Sequence, residues 1–129
     1  MATWPELVAF IRAHYKVAES TNGALTLHFR TEADRSQTVM VFNTPLQTGE
    51  EWIQIESPIG KLDAIDLRAA LKEIGSTVCG GLASTGQFLT FRHAVPLANL
   101  DSNEFQRPLN LVVNTADRLE KKLTGADDC

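Results

Sequence analysis

Three histidines, two cysteines and a short glycine-rich run are the residues that could do chemistry in this chain. His14, His28 and His93 are the imidazoles that a metal or acid–base site would draw on. No two of them stand four residues apart and no HExxH stretch occurs. The spacing that sets two metal ligands on one helical face is therefore missing, and the three read as surface histidines on separate elements. Cys79 is followed by Gly80-Gly81. A nucleophilic cysteine needs a lowered pKa and a base partner, and the neighbours supply neither. Cys79 reads as a structural thiol in mid-strand, and the glycine pair as a bulge or a place of close backbone approach. Gly80, Gly81 and Gly86 fit neither the dinucleotide-binding nor the P-loop spacing, and no helix opens just after them. Asp63 and Asp66 could be paired carboxylates, but at the start of a helix they serve as cap and dipole partner. No metal, cofactor or catalytic residue is expected, and the chain reads as a non-enzyme.

Composition narrows the class further. The 129 residues fit one domain able to bury a core without disulfides or metal. Apolar content of 43% and charged content of 22% are those of a globular chain. A net charge of −4 without a cluster of Lys and Arg argues against nucleic acid as a partner. No run approaches the roughly 20 apolar residues of a membrane span, and the first ten residues lack the basic leader of a signal peptide. Cys79 and Cys129 make no disulfide framework, so both thiols are expected free in a reducing, cytoplasmic compartment.

The elements that position these groups follow from periodicity. Thr3–Tyr15 reads as a helix capped by Thr3 and Glu6, with Trp4, Leu7, Val8, Ile11 and Tyr15 as its buried stripe. Val17–Ser20 is a short strand, and Asn22-Gly23 is a hairpin turn because both residues accept positive φ. Strands follow at Ala24–Arg30, Gln37–Asn43 and Glu51–Ser57, with a polar turn over Thr31–Ser36 and Pro58 and Gly60 ending the last strand. Asp63 caps a short helix running to Ile74, its apolar positions Leu67, Ala70, Leu71 and Ile74. Val78–Leu82, a turn at Ala83–Gly86 and Gln87–Val95 form a second hairpin, with Val78, Leu82, Leu89 and Phe91 on the core side.

The last helix carries the strongest signal. Phe105, Leu109, Val112, Val113, Ala116, Leu119 and Leu123 recur at spacings of three and four. Asp101 and Glu104 form a capping box and Gly125 a stop. Pro108 predicts a kink, or a restart after a first turn at Ser102–Gln106. The order helix, four strands, helix, two strands, helix specifies an α+β fold. Residues 1–125 form a single two-layer domain, an antiparallel sheet with helices packed on one face, and Ala126–Cys129 a frayed tail.

Strand alternation then isolates a candidate surface. With helices over Leu25, Leu27, Phe29, Val39, Val41, Ile53, Ile55, Leu89 and Phe91, the other face presents Met40, Phe42, Trp52 and Phe88. Among them stand Thr26, His28, Arg30, Gln54, Glu56, Thr90 and Arg92. Large apolar groups set among hydrogen-bonding ones have the make-up of an interface, and Trp and Arg are frequent hot spots. Met40, Phe42, Trp52, Phe88, Arg30, Arg92 and His28 are the expected partner-binding residues. The expected function is a protein-binding module, homodimeric or holding a protein client, through this face and a sheet edge. The alternative is a small-molecule or sensor domain using the face as one wall of a pocket.

Four stretches carry a family resemblance: Ile65–Leu71 (IDLRAAL), Gly80–Ala83 (GGLA), Phe88–Arg92 (FLTFR) and Asn114–Glu120 (NTADRLE). With the order of elements, they resemble the bacterial YbjN-type proteins, whose fold is similar to that of type III secretion chaperones. The resemblance implies a small, acidic, cytoplasmic, non-enzymatic protein, often a dimer, of a fold in which client chains can wrap the domain as extended segments. It transfers no functional residue.

Overall fold

The structure, a computed structural model, describes residues 1–32 and 34–129. Helix α1 (Trp4–His14) starts where the Thr3 hydroxyl accepts the Glu6 N–H, and it buries Trp4, Leu7 and Ile11. Strands β1 (Val17–Thr21) and β2 (Ala24–Glu32) meet across the Asn22-Gly23 turn, with Thr21 opposite Ala24. β3 (Arg35–Asn43) returns antiparallel to β2. The strands themselves take up most of the turn expected over Thr31–Ser36, of which Ala33 lies outside the described residues. Then come β4 (Trp52–Lys61), a 3-10 turn at Leu62–Ala64, α2 (Leu67–Ile74), β5 (Gly81–Thr85), β6 (Phe88–Pro96) and α3 (Ser102–Thr124). The fold is α+β, with one antiparallel sheet of order β1-β2-β3-β4-β6-β5.

Alternation places Leu25, Leu27, Val39, Val41, Ile53, Ile55, Leu89 and Phe91 on the face that packs against Leu7 and Ile11 of α1. Phe105, Leu109, Val112, Ala116 and Leu119 of α3 complete that core, all wholly buried. Each of these Leu, Val, Ile and Phe side chains stabilises the fold by roughly 1.5–3 kcal/mol relative to exposure, and Ala116 by less. No helix among the described residues is long and apolar enough to cross a membrane.

Several boundaries differ from expectation. β4 does not end at Pro58 but runs to Lys61, with a register shift between Pro58 and Gly60. Pairing with β3 stops at Glu56, so at Pro58 that side of β4 is an edge, where a missing N–H is tolerated. α2 is capped by Asp66 rather than Asp63; its carboxylate accepts the Arg68 and Ala69 N–H groups at 3.0 and 3.2 Å. Leu67 and Leu71, two of the four apolar positions of α2, are 46% and 62% exposed. β5 begins at Gly81, so Cys79 sits in the loop before it, and Val78 is 96% exposed rather than core-facing. Gly80 does mark a close approach: at φ +84° an added Cβ would stand 2.5 Å from Phe91 Cζ.

α3 continues through Pro108 without a restart. Its first turn is held by a capping box, Glu104 N–H to Asp101 at 2.8 Å and Asp101 N–H to Glu104 at 3.1 Å. Wholly buried Phe105 and Leu109 anchor the helix on either side of the proline. Residues 126–129, expected to fray, are instead hydrogen-bonded to β3 and to Glu120.

Candidate binding face

The side of the sheet away from the helices is built by register. Phe42 of β3 stands opposite Gln54 of β4, and Met40 opposite Glu56. Glu56 in turn faces Arg92 of β6. Trp52 lies two residues before Gln54 and so shares its face. Met40, Phe42 and Trp52 are half-buried and belong to no part of the helix-covered core. These three and Arg92 form one continuous patch. His28 adjoins it, its Nδ1 3.0 Å from the Thr38 hydroxyl. Arg30, opposite Ser36, lies at the far end of the β2–β3 ladder. Phe88, 39% exposed, pairs with Lys61 at the end of the β4–β6 ladder remote from Trp52. Of the seven expected residues, four come together, one borders them and two do not.

At the centre of the patch is a buried carboxylate. Glu56 is 1% exposed although no helix covers it. Its Oε1 accepts the hydroxyls of Thr85 at 2.6 Å and Thr90 at 2.7 Å and the Arg92 guanidinium at 3.0 Å. A buried charge is tolerated only when paired and hydrogen-bonded, and these three donors satisfy that condition from β5 and β6. The network stiffens the middle of a sheet that lacks a covering layer. It also leaves atoms unmatched. Arg92 Nε, Trp52 Nε1 and Asn43 Oδ1 are buried without a hydrogen-bond partner among the described residues. A groove of about 290 Å³ runs over this centre between Phe42, Gln54, Thr85 and Arg92.

Thr85 and the central role of Glu56 are not legible in the sequence. The alternation of Thr90, Phe91 and Arg92 sets two donors on one face, yet nothing local says that a glutamate stands across from them. A second apolar surface lies along α2, whose apolar spacing does not say which of its leucines are covered. Leu67 and Leu71 flank a groove of about 310 Å³ with Leu62, Leu82 and Leu89, beside β5 at the end of the sheet.

The histidines stay on three elements. His14 stacks on Phe10 of its own helix at 4.2 Å, His28 is exposed on β2, and half-buried His93 stands opposite Ile55. The one group of three metal-capable side chains among the described residues is Asp117, Glu120 and Asp127, at the opposite end of the core. Compared with protein-family models, curated proteins and solved structures, the chain finds no match.

Proposed function

We propose that this chain is a non-enzymatic protein-binding module, chaperone-like or regulatory, that works in the cytoplasm as a homodimer, in line with its resemblance to the YbjN type. The observation that carries this reading is the helix-free sheet face with Met40, Phe42 and Trp52 half-exposed around a rigid Glu56–Arg92 centre. Half-buried apolar side chains around satisfied polar groups are the composition of an interface core. The β5 edge supports self-association. An edge strand offers unpaired amides and carbonyls, and Leu67 and Leu71 stand exposed beside it. Around a two-fold axis at this edge, β5 would pair antiparallel with its copy, and the two α2 helices would run antiparallel. The carboxylate that caps α2, Asp66, would then meet Arg68 and Lys72 of the second copy.

Light scattering on the purified protein tests this. The wild type is expected at twice the chain mass, and Leu67→Glu with Leu71→Glu is expected to return it to one chain. Phe42→Ala with Trp52→Ala is expected to abolish recovery of a client while circular dichroism stays native. If that double variant leaves mass and client recovery unchanged, the face has no binding role. The groove over Glu56, with unmatched Arg92 Nε beside it, favours one other reading, a small-molecule site. A monomer stabilised by one compound in a metabolite screen would select that reading.

A further inference from the structure

The sheet forks between β3 and β4. The two strands pair only from Met40 to Asn43, and beyond that point the Arg35–Thr38 part of β3 has no strand on that side. Gln37, wholly buried, bridges the root of the fork through Nε2 to the Ser57 hydroxyl at 2.8 Å and the Pro58 carbonyl at 2.6 Å. The segment that follows Gly125 enters this fork. The Ser36 N–H lies 3.2 Å from each carboxylate oxygen of Asp127, and the Thr38 N–H donates to the Cys129 carbonyl at 2.8 Å. From the helix side Glu120, 1% exposed, accepts the N–H groups of Asp128 and Cys129 at 2.8 and 2.9 Å on Oε2. Arg35 stands behind, 3.0 Å from Asp117, 3.4 Å from Glu120 and 3.9 Å from Asp127. Arg35 and the amides of Ser36, Asp128 and Cys129 together hydrogen-bond the three carboxylates.

These groups address a short stretch of backbone whose successive amides converge, with one side-chain requirement. Thr38 takes a carbonyl, Glu120 takes two successive amides, and Ser36 with Arg35 takes a carboxylate two residues upstream of the carbonyl. A cleft of about 440 Å³ lies beside Cys129 between Phe88, Lys61, Ala64 and Thr124, with room for a larger side chain there. We infer that the β3–β4 fork is a recognition slot for a peptide segment bearing a carboxylate side chain, and that residues 127–129 occupy it as an intramolecular stand-in. The slot lies apart from the Phe42–Trp52 patch and does not depend on that reading. The stand-in hangs on a single left-handed residue, Gly125 at φ 71°, and Asp127 and Asp128 are exposed. Tethering gives it an effective concentration on the order of millimolar, so an incoming peptide competes with it.

The test uses the full chain. Asp127→Ala removes the stand-in's carboxylate and leaves the slot intact. Cys129 reports on the closed form, because burial, and then the neighbouring Glu120, push its thiol up to about 12. Only the thiolate is alkylated readily. Iodoacetamide is expected to label Cys129, measured against Cys79 in the same molecule, at least ~10-fold faster in Asp127→Ala than in wild type. A capped peptide of sequence 124–129, at millimolar concentration, is expected to shift the Thr38 amide resonance of the Asp127→Ala chain. It should do so several-fold less in wild type. The same peptide carrying Asp127→Ala should bind roughly 10-fold more weakly, for want of the charge-assisted bond. Cys129 labelling at the wild-type rate, a Thr38 resonance that ignores the peptide, or equal binding of both peptides would each overturn the inference.

Discussion

Glu56 shows how one side chain governs the candidate face. Its carboxylate is buried on the side of the sheet that carries no helix, so its three donors must do what a covering layer would otherwise do. Removing a hydrogen bond to a buried charged group costs about 1.5–3 kcal/mol. Thr90→Val keeps the shape and deletes one donor, and is expected to lower stability to urea by that amount. A loss below about 0.5 kcal/mol would mean that Arg92 and Thr85 alone satisfy the charge. Glu120 is the second buried carboxylate, and its pH behaviour runs opposite to the usual case. Burial raises its pKa above the usual 4.5, against the amides of Asp128 and Cys129 that lower it. The folded chain therefore holds this proton where the unfolded chain has released it. The burial penalty is in force above the folded pKa and is relieved as pH falls towards 4.5. Glu120→Gln abolishes that dependence, so the wild type's advantage over the variant should shrink as pH rises from 4.5 to 7 in denaturation curves. Glu73 contributes with the opposite sign. The Lys122 ammonium 2.8 Å away holds its carboxyl below 4.5, and the stabilisation it gives is lost as pH falls through that lowered value.

Among the elements, α3 best shows what local sequence reveals and hides. Its stripe, cap and stop were legible because each is a short-range pattern: Phe105 to Leu119 at helical spacing, Asp101 with Glu104, and Gly125. Its continuity was not, because Pro108 is judged locally while Phe105 and Leu109 hold the helix from the core. Pro108 forgoes the hydrogen bond to the Glu104 carbonyl and carries a poor helical propensity. Pro108→Ala is thus expected to stabilise the protein by about 1–2 kcal/mol, once the greater freedom of the unfolded chain is allowed for. An unchanged or lowered melting temperature would show that the ring is needed where it packs. The same distinction explains β4 and α2. Pro58 and Gly60 look like a stop, but whether a proline breaks a strand depends on which neighbour still needs its N–H. Leu67 and Leu71 repeat at core spacing, but α2 covers only the margin of the sheet. Which residues face away from the helices followed from alternation alone. That Glu56, Thr85, Thr90 and Arg92 converge did not, because convergence depends on cross-strand register.

At the scale of the whole molecule, the layering was legible and the closure was not. Six strands with helices on one side follow from the order of the elements. Nothing in a run of Ala-Asp-Asp-Cys says that it will lie against a strand 91 residues earlier, as Asp127 does against Ser36. That separation has a kinetic consequence. β1 to β4 form a meander of neighbouring hairpins that can close early, since short loops close fastest. The amides of Ser36 and Thr38 stay unpaired until α3 has docked and delivered residues 127–129. In pulsed hydrogen exchange during refolding, Thr38 should gain protection after Val39 and Val41. Simultaneous protection would mean that the fork closes without that segment. Until it arrives, the flank of β3 is a sticky edge in the middle of a nascent sheet. In that interval the open flank would favour aggregation, and would be open to whatever in the cell collects unpaired strands.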